Sequence, residues 1–343
     1  MTLTASPPIT LKPPILIVVL ALCFSASPAM GEVPDHQLSK AIERAKAATV
    51  GILRHVEDSS SQATQRHFSV RGTGVHIRDG YILTASHAVK GTERGKPVIP
   101  NNITVLTEDL QELPAVLTGV NAFLDIAVYQ INHQKGTSRL GSISFGDTDP
   151  EPGEEVFTVG YPLGWGPALG FGRIGNPNTF LPTVQSRLMQ IDLSTCSGNS
   201  GGGLFNVRGE IVGVVHAIIQ TETTQGERRC SRFAFAVPGP LVQRIATALI
   251  QGKHLEFPKL GIQMTVVKKG IQWRVAVAKA SGPARKGGLR KGDILLSIEE
   301  TTITSPAQLK NFLIERTTPG QRVAIRILRG DKEKLFQVIL GKS

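Results

Sequence analysis

From the end of a short helical signal at Leu38–Lys46 to Pro240, the chain is a succession of short β-rich segments separated by glycine and polar turns. "TVGILRH", "GTGVHI", "GYILTASHAV", "NITVLTED", "EEVFTVGYP", "SRLMQIDLS", "GEIVGVVHAIIQT" and "FAFAVP" each fit a strand of 4 to 8 residues. Long helices do not alternate with them, so a barrel or sandwich is expected rather than a doubly wound sheet. "GPLVQRIATALIQGK" then has apolar residues at Leu241, Ile245, Leu249 and Ile250, the spacing of a helix that closes the first unit. From Lys259 the β pattern restarts and encloses one helix, "SPAQLKNFLIER". Ser305 is suited to cap that helix and Pro306 to occupy its first turn. The 343 residues therefore divide into a leader (1–29), an N-terminal segment (30–46), a β domain (47–257) and a second, smaller domain (258–343).

The leader has one lysine, Lys12, no acid, a run of about 12 apolar residues and then "SASPAM". That run is short for a bilayer span, and Ser27 and Ala29 suit cleavage after Ala29. Export to the periplasm is expected, with an uncleaved membrane anchor as the alternative. Leu22 before Cys23 argues against lipidation, so the mature chain keeps Cys196 and Cys230. Two thiols in an exported protein pair or stay separate, and the sequence alone leaves both open. The net charge of +11 lies wholly in residues 258–343, which hold 17 Lys/Arg against 6 Asp/Glu. This excess serves solubility or attraction to acidic proteins and anionic envelope surfaces, so membrane-surface association is one reading. Nucleic acid is not expected, because aromatics are 5% and no binding motif is present.

Three side chains carry the chemistry. His87 sits in the small-residue turn of "YILTASHAV", Asp125 heads the apolar run "DIAVYQI", and Ser200 lies within "GNSGGG". A serine hydroxyl becomes a useful nucleophile when a base takes its proton, and a carboxylate commonly holds that base in the right tautomer. The surrounding glycines permit a tight turn in which the Gly198 and Ser200 N–H groups converge on a developing oxyanion. Each signal alone is weak; the three together in a β-rich chain are much stronger.

The set resembles the chymotrypsin-like serine proteases of the bacterial HtrA/Deg type. "TASHAV" (84–89), "DIAV" (125–128) and "GNSGG" (198–202) match the three catalytic motifs, and "GYPLG" (160–164) and "AFAVP" (234–238) resemble further family segments. The resemblance implies an all-β fold of two six-stranded barrels with the site in the cleft between them. It implies His87 as general base, Asp125 as its orienter, Ser200 as nucleophile, and an oxyanion hole at Gly198, Asn199 and Ser200. Substrate would contact Ser194, Thr195, Cys196, Ala234, Phe235 and Ala236, its backbone pairing with the "AFAVP" strand. Small or medium apolar P1 side chains are expected, since no acid marks the pocket. No cofactor and no metal are implied. In digestive relatives of this fold, a cysteine four residues before the nucleophile is bridged to the pocket wall, which implies a Cys196–Cys230 disulfide.

The C-terminal unit resembles a PDZ domain. "KLGI" (259–262) looks like the carboxylate-binding loop, so Leu260, Gly261 and Ile262 would hold a peptide C-terminus. The groove is expected between the strand after Gly261 and the helix Ala307–Glu315, filled by strand addition. A packed domain with a degenerate groove is the alternative. Departures include Cys196–Ser197 where the family has Asn-Pro, and Gly203 where it has proline. The whole reads as an exported serine endopeptidase acting on unfolded or regulatory proteins, and the resemblance implies a homotrimer. The competing reading is a peptide-binding, chaperone-like protein with an idle site.

Overall fold

The computed structural model describes residues 35–56, 67–93, 95–131, 140–179, 187–218, 221–222, 228–253 and 255–342. The leader expected at 1–29 lies outside the described residues. Helix α1 (Asp35–Ala48) is longer than the Leu38–Lys46 signal, and its Ala41, Ala45 and Ala48 are fully buried.

Six strands then close on themselves: β1 (Thr49–Val56), β2 (His67–Arg78), β3 (Tyr81–Ala85), β4 (Asn102–Leu106), β5 (Glu112–Asn121) and β6 (Ile126–Ile131). Around this barrel they run β1-β2-β3-β6-β5-β4. A second closed barrel is made by β7 (Glu155–Gly160), β8 (Ala168–Thr179), β9 (Leu188–Thr195), β10 (Gly203–Asn206), β11 (Ile211–Ile218) and β12 (Ser231–Pro238), in the order β8-β9-β12-β11-β10-β7. Closure pairs the strand edges and turns alternate residues inward. In β9, Ile191, Leu193 and Thr195 are buried while Asp192 and Ser194 face out. Each barrel has its own interior, around Val50, Ile82 and Tyr129 in one and Met189, Ile191 and Leu204 in the other. Burying each large apolar side chain contributes about 1.5–3 kcal/mol.

A shared core lies between the barrels, where Val75, Leu83 and Leu124 meet Phe157, Phe205 and Phe235. Helix α3 (Gly239–Ile250) supplies Leu241, Val242 and Ile245 to it. Gly203 is explained by this packing. A Cβ there would lie 2.3 Å from the ring of fully buried Phe205, so the expected proline has no room.

The C-terminal sheet runs β13 (Ile262–Lys269), β14 (Gln272–Ala280), β15 (Ile294–Ile298), β16 (Arg322–Arg329), β17 (Lys332–Ile339). Two helices accompany it, α4 (Gly282–Lys286) and α5 (Pro306–Arg316). Ser305 accepts from the Gln308 N–H while the Gln308 side chain reaches back, the reciprocal cap that fixes where α5 starts. Asp293 is buried and held as a fork by Arg329, at 2.7 and 2.8 Å.

Helix α5 also docks on the second barrel. Arg187, 6% exposed, reaches Asp149 on one side and Glu315 of α5 at 2.7 Å on the other. Arg244 of α3 donates to the Ile314 carbonyl at 2.9 Å. Truncating one member of a buried ion group leaves the other charges uncompensated. Arg187→Ala is therefore expected to lower the unfolding free energy by about 3 kcal/mol, read by urea denaturation; an unchanged midpoint would contradict this anchor.

Candidate active site

Pairing of Ala85 with Ile126 brings the end of β3 beside the start of β6. The chain turns there into the short helix α2 (Ser86–Val89), which carries His87, while Asp125 turns into β6 with φ of 57°. Aspartate tolerates this left-handed region better than most side chains, and such strain gathers at functional sites. Ser86 N–H donates to the Asp125 carbonyl at 2.8 Å. Oδ1 of Asp125 accepts from the Ser86 hydroxyl and from the His87 N–H at 2.9 Å, leaving Oδ2 to face Nδ1 of the His87 ring. Burial pushes the Asp125 carboxyl up, but the His216 and His87 imidazoles and the Ser86 hydroxyl outweigh it and hold it well below the usual carboxylate range.

Ser200 stands on the turn between β9 and β10. Gly202 N–H donates to the Asn199 carbonyl and Gly201 N–H to that of Val215. Two glycines in the turn are obligatory. Gly198 has φ of 104° with the Tyr161 carbonyl 2.1 Å from a would-be Cβ, and Gly201 has φ of 87° with Thr84 Oγ1 at 2.2 Å. Thr73 ties the turn down: its buried hydroxyl donates to the Gly198 carbonyl at 2.6 Å and accepts from Tyr161 N–H at 3.0 Å. Among the described residues, neither the Gly198 nor the Ser200 N–H donates a hydrogen bond, so both remain free for an incoming oxygen. Asn199 is buried between them.

Ser200 Oγ lies 3.5 Å from the His216 carbonyl, and no hydrogen bond joins it to the His87 ring. Cys196 and Cys230 are bridged, with Cα atoms 4.7 Å apart, which ties the serine turn to the foot of β12. Ser194 is exposed, Thr195 buried and Cys196 half-buried. Ala234, Phe235 and Ala236 are buried, and β12 pairs with β9 on one side and β11 on the other. Both backbone edges of the "AFAVP" strand are thus spent inside the closed barrel, so the pairing expected there has no free groups to use. Among the described residues, the open edge belongs to β11 beyond Val215, whose backbone is still paired with Gly201 and Gly202.

Three contributors escaped the sequence reading: Thr73, Tyr161 and His216. The ring of His216 projects from β11, 11% exposed, and its Nδ1 lies 2.9 Å from Oδ2 of Asp125. That nitrogen is buried and makes no hydrogen bond of good geometry. His87, Asp125 and His216 place ligand-type atoms within 4.8 Å of one another. The only signal in the sequence was a single histidine in the apolar run "GVVHAII" after the serine motif.

A second concave feature lies some way along the chain. A groove of about 290 Å³ runs between α5 and the loop before β13, lined by Leu260, Gly261, Ile262, Met264, Leu309 and Leu313, with Phe123 of the barrel domain closing one side. Among the described residues, strand β13 pairs only with β14, which leaves its other edge open.

Residues 72–214 match the family model of the trypsin-like peptidase domain, and residues 258–340 match that of the PDZ domain. Residues 72–214 are thus a trypsin-like peptidase domain, and residues 258–340 a PDZ domain. The peptidase and PDZ domains together are similar to the serine protease Do-like HtrA of Bacillus subtilis, 29% identical over 83% of this chain and 66% of that protein. They are also similar to the probable periplasmic serine endoprotease DegP-like of Bartonella henselae, 27% identical over 92% of this chain and 61% of that one. The chain thus spans roughly two-thirds or less of the curated relatives it matches. Among solved structures, the HtrA-type protease AlgW with decapeptide overlays 89% of this chain and 98% of its own with a TM-score of 0.69 at 24% identity. The serine endoprotease from Yersinia pestis overlays 89% and 98% with a TM-score of 0.60 at 25% identity.

The buried Thr73 hydroxyl serves two backbone groups of the peptidase domain at once. Thr73→Val strands both, and an expected loss of about 1–3 kcal/mol is measurable by denaturant unfolding. The Cys196–Cys230 bridge closes a loop of 34 residues. Reduction, or Cys196→Ser with Cys230→Ser, is expected to cost about 2–4 kcal/mol; no change in melting on adding reductant would contradict it.

Proposed function

We propose that the chain is an exported HtrA/Deg-type serine endopeptidase that hydrolyses peptide bonds of unfolded or regulatory proteins. The observation that carries this reading is the Asp125 carboxylate set against the His87 ring, beside a serine turn with two unspent N–H groups. His87 acts as general base: its Nε2 takes the Ser200 proton as Oγ attacks the scissile carbonyl. The oxyanion forms toward the Gly198 and Ser200 N–H groups, with Asn199 between them. His87 returns the proton to the leaving amine, and water then hydrolyses the acyl-enzyme with the same base. The resting hydroxyl faces the His216 carbonyl, so it turns toward His87 before reacting. The Ser194–Cys196 segment lies along the pocket, backed by the buried Ala234–Ala236 strand, while substrate backbone adds to the open edge of β11.

On this reading residues 1–29 are the leader, 30–46 a connecting segment, 47–257 the peptidase domain and 258–343 the PDZ domain. Periplasmic location follows the leader and the names of similar proteins, and a homotrimer follows the family resemblance. The PDZ groove takes an apolar peptide C-terminus at Leu260, Gly261 and Ile262 and regulates the site. Phe123 supports that coupling, because it lines the groove and stands two residues before Asp125, with fully buried Leu124 between. α5, the other groove wall, is fastened to the barrel by Glu315–Arg187.

Two tests follow. Ser200→Ala is expected to reduce casein hydrolysis by at least ~10³-fold while leaving the fold intact. Equal activity of the two proteins, or none in either, supports the competing reading of an idle peptide-binding protein. A peptide ending in a free apolar carboxylate is expected to change kcat/KM about fivefold or more, and Phe123→Ala to diminish that change. Binding of the peptide with kcat/KM unaltered would leave the groove without a regulatory role.

A further inference from the structure

A histidine, a carboxylate and the hydroxyl it serves account for peptide hydrolysis. The structure adds a second imidazole to the same carboxylate. Oδ2 of Asp125 faces Nδ1 of His87, and it lies 2.9 Å from the buried Nδ1 of His216, a contact outside good hydrogen-bond geometry. The two rings meet edge to face with centroids 5.4 Å apart. A buried ring nitrogen aimed at an ionised carboxylate beside a second imidazole is the donor set of a metal site.

We propose that His87, Asp125 and His216 form a reversible binding site for a divalent transition metal of the zinc type, and that its occupation holds the peptidase off. Two imidazoles and one carboxylate suit zinc and its neighbours, whereas calcium and magnesium prefer all-oxygen sets. Three protein ligands with a fourth position open is the arrangement of accessible zinc sites. The three ligand atoms already lie within 4.8 Å of one another. A tetrahedral ion with bonds of about 2.0–2.2 Å needs its ligands roughly 3.3–3.5 Å apart. The carboxylate–imidazole contacts are tighter than that, so His87 swings outward by a short distance when the ion enters. Its side chain is 43% exposed and has room to do so. Asp125 is held meanwhile through its other oxygen, by the Ser86 hydroxyl and the His87 N–H. With the metal on one nitrogen and its contact with Asp125 replaced, His87 no longer serves as base for Ser200. Inhibition rests on the proposed hydrolytic reading; binding of the metal does not.

The test uses full-length Ser200→Ala protein stripped with chelator and titrated with zinc chloride by calorimetry. Saturable binding of one zinc per chain is expected, weakened about tenfold or more by adding His216→Asn. Cobalt(II) in place of zinc should give the visible absorption of a tetrahedral site. Should the His216→Asn protein fail to fold, the histidine NMR signals of the Ser200→Ala protein decide. Selective shifts of His87 and His216 on adding zinc support the site; shifts confined to other histidines overturn it. Zinc affinity unchanged by His216→Asn, or no saturable binding, also overturns it. If zinc binds through His216 while the wild type hydrolyses no peptide at any zinc level, the metal site stands and the hydrolytic reading falls.

Discussion

One carboxylate, that of Asp125, organises the site. Its two oxygens are assigned to different elements: Oδ1 to the hydroxyl and N–H of α2, Oδ2 to the rings of His87 and His216. Burial alone would push the group toward its neutral form, but the surrounding donors keep it ionised. The arrangement depends on the register of β3 with β6, since Ala85 opposite Ile126 sets α2 beside Asp125. It depends equally on barrel closure, because His216 comes from the other barrel. The first barrel thus holds the imidazole and the carboxylate, and the second holds the serine turn.

The serine turn is secured by covalent and hydrogen-bonded restraints from different places. The Cys196–Cys230 bridge ties it to β12, and Thr73 reaches across from the first barrel to the Gly198 carbonyl. These restraints keep the Gly198 and Ser200 N–H groups out of the internal hydrogen-bond network. A site that must stabilise a transient negative charge works best when its donors are already placed. The C-terminal sheet connects to the same core through α5, with Arg187 and Arg244 gripping its last turn. Phe123 makes the contact reciprocal, since it reaches the groove from the segment that leads into Asp125.

The strand pattern was legible because closed barrels force alternation and glycine turns onto the sequence. Ser305 and Pro306 marked the start of α5 for a local reason, the capping of free N–H groups. The side chains His87, Asp125 and Ser200 were legible through their flanking small residues. What the sequence did not reveal depends on long-range register. Nothing local distinguishes His216 from any histidine in an apolar strand; its role follows from where β11 lies against the first barrel. The spent edges of Ala234–Ala236 likewise became visible only with the strand order. Gly203 looked like a lost proline, yet it makes room for the Phe205 ring, a neighbour fixed by tertiary packing. Arg187 drew no notice because its partners, Asp149 and Glu315, are distant in sequence.

The central claim is that Ser200 is a nucleophile activated by the His87–Asp125 pair. Peptide mapping by mass spectrometry after treatment with a fluorophosphonate tests it directly, since the reagent bonds to an activated serine oxygen. The account predicts an adduct on Ser200 in the native protein, lost on unfolding and strongly slowed in Asp125→Asn. A folded protein in which Ser200 stays unmodified, or reacts equally fast in Asp125→Asn, would contradict it.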